Sequence, residues 1–157
     1  MRAAFDRLGA LLALGLVLVS LQGLQSMCSG IEITYESVGQ TPVIRYAAAD
    51  ADGAVIVIAH GFAGSAQMMQ AYALSHAQAN YQVYAFDFEG HGRNPVPMSG
   101  DVTAIDGTTR FLVAQTLEVV EAVADAGQPV GVLGHSMATD VLVRAALERP
   151  AQIGPLV

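Results

Sequence analysis

Residues 129–138 read Pro129-Val130-Gly131-Val132-Leu133-Gly134-His135-Ser136-Met137-Ala138. The run 129–133 is short and apolar, as expected of a strand buried on both faces. Residues 137–148 are rich in Ala, Leu and Val and end just before Pro150, which predicts a helix. A chain passing from buried strand to helix this quickly must turn sharply. Small residues two before and two after Ser136, here Gly134 and Ala138, meet that need, because larger side chains would collide. Such a turn lifts the Ser136 hydroxyl clear of the sheet and aims the N-terminus of the following helix at it. The pattern is that of a serine nucleophile held at a strand end.

Further strands are expected on either side. Residues 54–59 (AVIVIA) form a continuous apolar run bounded by Gly53 and Gly61, and residues 81–87 (YQVYAFD) form a second. Residues 31–38 and 42–48 are β-prone and joined at Gly39-Gln40, which predicts an antiparallel pair. Between the apolar runs, Ser65 is placed to cap a helix reaching about residue 79, with Met68, Met69, Tyr72, Ala73 and His76 at helical spacing. Asp106 opens another helical stretch, with Val113, Leu117, Val120 and Ala124 in phase and Gly127 as its stop. Residues 88–105 make a Gly- and Pro-bearing loop long enough to mark a functional edge. Residues 153–157 begin a further strand. Strand–helix alternation of this kind gives an α/β fold with a mostly parallel, twisted sheet.

The 157 residues hold one Cys and no Trp, are 53% hydrophobic and 13% charged, and carry a net charge of −7. That composition excludes disorder and an internal disulfide scaffold, and its acidity argues against nucleic acid as a partner. Much of the mean hydropathy of +0.44 comes from one place. Arg2 and Arg7 precede residues 8–24, a stretch without charge. A basic start followed by an apolar run is the layout of a signal peptide or a signal-anchor transmembrane helix, and residues 1–30 are assigned to it. Ser26-Met27-Cys28 matches a cleavage site only loosely, so cleavage and retention both stay open. Positive charge at the start predicts that Arg2 and Arg7 stay in the cytoplasm. The domain at residues 31–157 is then membrane-anchored outside the cytoplasm, or exported.

A second motif, His60-Gly61-Phe62-Ala63-Gly64-Ser65, follows the AVIVIA run directly. Acyl transfer needs two backbone N–H groups aimed at the developing oxyanion, and Gly61 allows the chain to approach closely enough to present one. The N–H groups of Phe62 and Met137 are the candidates. His60, Gly61 and His135 are expected to line the substrate site, His60 as a hydrogen-bonded residue ending a buried strand and His135 as a wall. The expected ligand is a small-molecule acyl substrate, with no cofactor and no metal.

The order apolar strand–HGFAGS, then YAFDFEGHGRN, then LGHSMA resembles the N-terminal half of an α/β-hydrolase over residues 31–157. Asn94 stands where that family more usually has Ser. The resemblance implies an eight-stranded sheet, a Ser–acid–His triad and hydrolysis of an ester, thioester or amide. It also implies that His91 braces its loop, and that Ser136 speaks against the dehalogenase and epoxide hydrolase branches, whose elbow carries Asp. In the family the acid and the His follow the Ser in chain order. Residues 137–157 contain Asp140 and Glu148 but no His, and both acids fall on the helix after the elbow. None of the four His at positions 60, 76, 91 and 135 is placed as the family's base. The expectation is a fragment of a longer serine hydrolase, inactive by itself, with an uncovered apolar sheet edge at residues 153–157. The alternative is a non-catalytic, membrane-anchored α/β binding or interaction module.

Overall fold

The computed structural model describes residues 2–124 and 127–157, and side chains from Arg7 onward. The chain separates into two compact units, Met1–Gly30 and Ile31–Val157. The first is a single helix, α1 (Arg2–Cys28). Its stretch Arg7–Cys28 is long and apolar enough to cross a membrane, and its leucines and valines are exposed along their length.

The second unit is a six-stranded sheet flanked by helices. Its strands are β1 (Ile31–Val38), β2 (Thr41–Ala48), β3 (Val55–Ala59), β4 (Gln82–Phe86), β5 (Val130–Gly134) and β6 (Ile153–Leu156), in spatial order β1-β2-β4-β3-β5-β6. β1 pairs antiparallel with β2, and β2 with β4, whereas β3, β4, β5 and β6 run parallel. Gly39 lies at φ +56°, the left-handed conformation that lets a tight turn join β1 to β2. The parallel pairs need helical crossovers. α2 (Gln70–Gln78) links β3 to β4, α3 (Thr109–Val123) links β4 to β5, and α4 (Met137–Glu148) links β5 to β6.

The main core lies between one face of the sheet and α3 and α4. Val55, Val57, Val130 and Val132 meet Leu112, Val113, Val119 and Val120 of α3 and Val141, Leu142 and Ala145 of α4. Phe86 and Phe88, both fully buried, stack edge to face at 4.8 Å. Burying each large apolar side chain contributes about 1.5–3 kcal/mol. α2 covers the opposite face over β2 and β4 with Ala73, Leu74 and Ala77. β1 and β6 are the edge strands, and Pro155 within β6 lacks the N–H that a central strand would need.

Three element boundaries differ from the sequence expectation. Ser65 takes the cap position of a short 3-10 turn, Ala66–Met69, but its side chain makes no capping bond. The Ala66 N–H donates to Asp87 Oδ1 at 2.7 Å instead, a buried carboxylate displacing the local hydroxyl. α3 starts at Thr109 rather than Asp106, because Asp106 lies at φ +56° and the preceding segment folds on itself. There Asp101 Oδ1 accepts from both the N–H and the hydroxyl of Thr103, which favours a turn over a helix. α3 also ends earlier, at Val123, with Ala124 extended (ψ 130°). Residues 125 and 126, just before the expected Gly127 stop, lie outside the described residues. α4 ends at Glu148 as the sequence predicts, since Arg149 precedes Pro150 and leaves the helical region.

Candidate active site

β3 and β5 are neighbours, and their last residues, Ala59 and Gly134, sit opposite each other. The two motifs that follow them therefore emerge side by side at the C-terminal edge of the parallel strands, where open α/β sheets bind ligands. The His135 N–H donates to Ala59 O at 3.1 Å and ties the two strand ends together.

Ser136 lies at φ 56° and ψ −118°. A non-glycine residue avoids this region, and holding one there costs about 1–3 kcal/mol. Surrounding packing enforces it. A Cβ on Gly134 would come within 2.8 Å of Leu142 Cδ1 and 3.1 Å of the Ala138 backbone, so glycine lets the strand meet the helix without displacing either. Ala138 is fully buried, whereas Ser136 is exposed at the N-terminus of α4.

Gly61 is equally constrained. A Cβ there would lie 3.0 Å from His135 Nδ1 and 3.1 Å from Ser136 Cβ. Gly61 thus runs tightly against the serine turn, and a side chain there would have to push His135 and Ser136 aside by a few tenths of an ångström. Among the described residues, no acceptor of the chain takes the N–H of Phe62 or of Met137. A cavity of about 350 Å³ opens here, lined by His60, Gly61, Phe62, Met68, His135 and Ser136 among others.

The four His are placed differently. His60 is 1% exposed, and both ring nitrogens are engaged inside the protein: Nδ1 lies 2.7 Å from Gly61 O, and Nε2 accepts the Phe88 N–H at 3.2 Å. Its edge of the cavity is backed by a ring turned toward the protein's own backbone. His91 Nδ1 lies 2.9 Å from Glu89 O, and its ring packs 5.2 Å from His60 and 5.6 Å from Phe62, so it braces the loop. His76 Nδ1 bonds the Tyr72 carbonyl on α2. His135 is exposed beside Ser136. Among the described residues, none of these rings hydrogen-bonds the Ser136 hydroxyl. Asp140 pairs with Arg144 at 2.9 Å on the exposed face of α4, away from any triad role.

Sequence reasoning missed Asp87. It is fully buried at the end of β4, with Oδ1 accepting from Ala66 N–H (2.7 Å) and Oδ2 from Arg93 N–H (2.9 Å). Its carbonyl takes the side-chain amides of Asn94 (2.9 Å) and Gln115 (3.1 Å). Asn94 thus ties the loop to Asp87, and its Oδ1 also accepts the Val96 N–H at 3.0 Å. The readable signal was a carboxylate ending an apolar strand, where burial demands partners.

Burial is the main cause that holds the His60 pKa below its ordinary 6.5, with His91 adding to it, while the Gly61 carbonyl and Asp87 partly oppose it. A histidine lowered on folding binds fewer protons in the native than in the unfolded state. Its effect on stability is absent above about pH 6.5, and stability falls as pH drops from there toward the lowered native value. His60→Asn, which cannot titrate, is expected to flatten this acid slope in a plot of Tm against pH. An unchanged slope would assign it to other groups.

Comparisons agree with this fold. Residues 50–157 match the family described as serine aminopeptidase, S33. A relative named carbamate hydrolase RutD, from Variovorax paradoxus (strain S110), is 26% identical over 107 residues, 68% of this chain and 38% of its own length. The thioesterase domain from the curacin biosynthetic pathway superposes with a TM-score of 0.62 at 26% identity, covering 80% of this chain and 44% of that one. Epoxide hydrolase VrEH1 from Vigna radiata shares the fold with a TM-score of 0.63 at 21% identity, covering 81% of this chain and 39% of its own. The chain spans about two fifths of the length of these relatives. With the strand order, the serine turn and the glycine loop in place, the chain belongs to the serine aminopeptidase S33 family of α/β-hydrolases.

Proposed function

We propose that this chain carries the nucleophile and oxyanion donors of a serine hydrolase acting on an ester, thioester or amide. The observation that carries the reading is Ser136 at φ 56°, ψ −118°, with Gly61 packed against its Cβ. Ser136 Oγ attacks the carbonyl carbon, and its proton passes to a base. The oxyanion accepts from the N–H groups of Phe62 and Met137, the latter at the positive end of α4. The bond to the leaving group breaks as that group takes the proton, and water then releases the acyl group from Ser136. His60, Gly61 and His135 form the wall of the acyl site, with His60 acting from behind. Relatives named as a carbamate hydrolase and a thioesterase support chemistry of this kind. Ser rather than Asp at position 136 sets the chain apart from epoxide hydrolases.

The resemblance assigns the acid and the base to positions after Ser136, and residues 137–157 hold no His. On that reading residues 1–157 by themselves are expected to be inactive. Incubation with a fluorophosphonate and free imidazole, followed by peptide mass mapping, tests the assignment. An adduct on Ser136 that vanishes in Ser136→Ala is expected; an adduct unaffected by that change overturns it. One observation favours the second reading, a non-catalytic binding module: His60, His76 and His91 are all bonded to backbone carbonyls.

α1 is proposed to direct the chain to a membrane, either as an anchor with residues 31–157 outside the cytoplasm or as an export signal. Fractionation of cells expressing the full chain tests this. Recovery in the cytosol at full mass is the result that would overturn it.

A further inference from the structure

We propose that His60 is a positioning residue that sets the direction of the Phe62 N–H through the peptide plane shared by Gly61 and Phe62. The inference rests on the reading of that N–H as an oxyanion donor. In a trans peptide the C=O and the following N–H share one plane and point in opposite directions. The Gly61 carbonyl is gripped twice, by His60 Nδ1 at 2.7 Å and by the Gly64 N–H at 2.9 Å. Holding that oxygen turns the Phe62 N–H to the other side. The Phe62 side chain is 67% exposed and meets the His91 ring edge to face at 5.6 Å.

The proton position on His60 follows from its neighbours. The Phe88 N–H can only donate, and it meets Nε2 at 3.2 Å, so Nε2 offers its lone pair and Nδ1 carries the hydrogen. The same tautomer donates to Gly61 O. The ring is packed against Phe88 and His91, each at 5.2 Å between centroids, and Asp87 Oδ1 stands 4.0 Å from Nε2.

Gly64 belongs to the same device. A Cβ there would sit 3.0 Å from Gly61 O and 3.2 Å from His60 Nδ1, crowding both bonds. The far end of the loop is fastened to the same place, since Ala66 N–H donates to Asp87 Oδ1 at 2.7 Å. Both ends of the 60–66 loop are thus tied to residues 87 and 88.

Two substitutions separate positioning from bulk stability. The amide nitrogen of His60→Asn falls near Nδ1 and keeps a donor for Gly61 O. The amide of His60→Gln reaches the Nε2 position, keeps an acceptor for Phe88 and loses the donor to Gly61. The readout is the residual dipolar coupling of the Phe62 N–H, measured on the ¹⁵N-labelled full chain in detergent micelles in a stretched gel. The coupling is expected to match wild type in His60→Asn and to shift in His60→Gln. A merely structural role would lower Tm in both variants and leave the coupling alike. An unchanged coupling in His60→Gln overturns the proposal. So do ring ¹⁵N shifts placing the wild-type proton on Nε2, which decide the matter even if His60→Gln does not fold. Because the readout is a bond direction, it does not depend on whether Ser136 reacts. A shifted coupling beside an inert Ser136 supports the positioning role and counts only against the hydrolase reading.

Discussion

The 157-residue chain is expected to release p-nitrophenolate from p-nitrophenyl butyrate no faster than its Ser136→Ala variant. A serine hydroxyl is a weak nucleophile near neutral pH, and a positioned general base is worth about 10²–10⁴ in rate. Among the described residues no imidazole bonds Ser136, and the three His placed elsewhere hold backbone carbonyls. On the proposed reading the free N–H groups of Phe62 and Met137 serve as oxyanion donors, and each such donor is worth about 10²–10³. Supplying the missing base from solution is therefore expected to expose them. With free imidazole added, the rate of wild type over Ser136→Ala is expected to rise by about tenfold or more, below the full value of a positioned base. Two outcomes count against this account. Ser136-dependent turnover without imidazole would locate a working base within these residues, His135 being the nearest exposed candidate. Imidazole-driven hydrolysis indifferent to Ser136→Ala would remove the nucleophile.

Gly92→Ala is expected to lower stability by several kcal/mol, about 2–5 in all. Gly92 lies at φ +53°, and a Cβ there would overlap the carboxylate of Asp87. The left-handed backbone costs an L residue about 1–2 kcal/mol, and forcing atoms into a packed site adds about 1–3 kcal/mol. Asp87→Ala removes the opposing carboxylate but strands the Ala66 and Arg93 N–H groups, at about 1–3 kcal/mol for each buried donor left unpaired. Thermal unfolding of the two single variants and the double variant is expected to give a double-variant loss smaller than the sum, by about 1 kcal/mol or more. Simple additivity would show that the glycine is not there to clear Asp87.

Much of the frame was legible because each strand carried its own signal. The apolar runs before His60 and His135, the short connection at Gly39 and the stop before Pro150 are local features, and local features decide where elements begin and turn. Gly134 and Ala138 could be read as a steric pair around Ser136 because both lie within two residues of it. The start of α3 was misplaced for the opposite reason. The 101–108 segment is shaped by Asp101 closing on Thr103 and by Gly100 packing on Gly107, contacts that helical periodicity does not register. Ser65 failed as a cap because Asp87, distant in sequence, reached the Ala66 N–H instead.

An α/β chain with an apolar N-terminal helix, a serine on a strand-to-helix turn and a glycine loop able to present an N–H could be read residue by residue. These follow from periodicity, small-residue spacing and chain direction, all of which act over a few residues. That Gly61 lies against Ser136, that Asp87 is the hub of the loops around the site, and that His60 faces inward emerge from the folded chain alone. Those facts depend on residues far apart in the chain being brought together by the pairing of β3 with β4 and β5. Once they are buried together, each polar group must find a partner, and that requirement is settled by where the neighbouring strand ends fall.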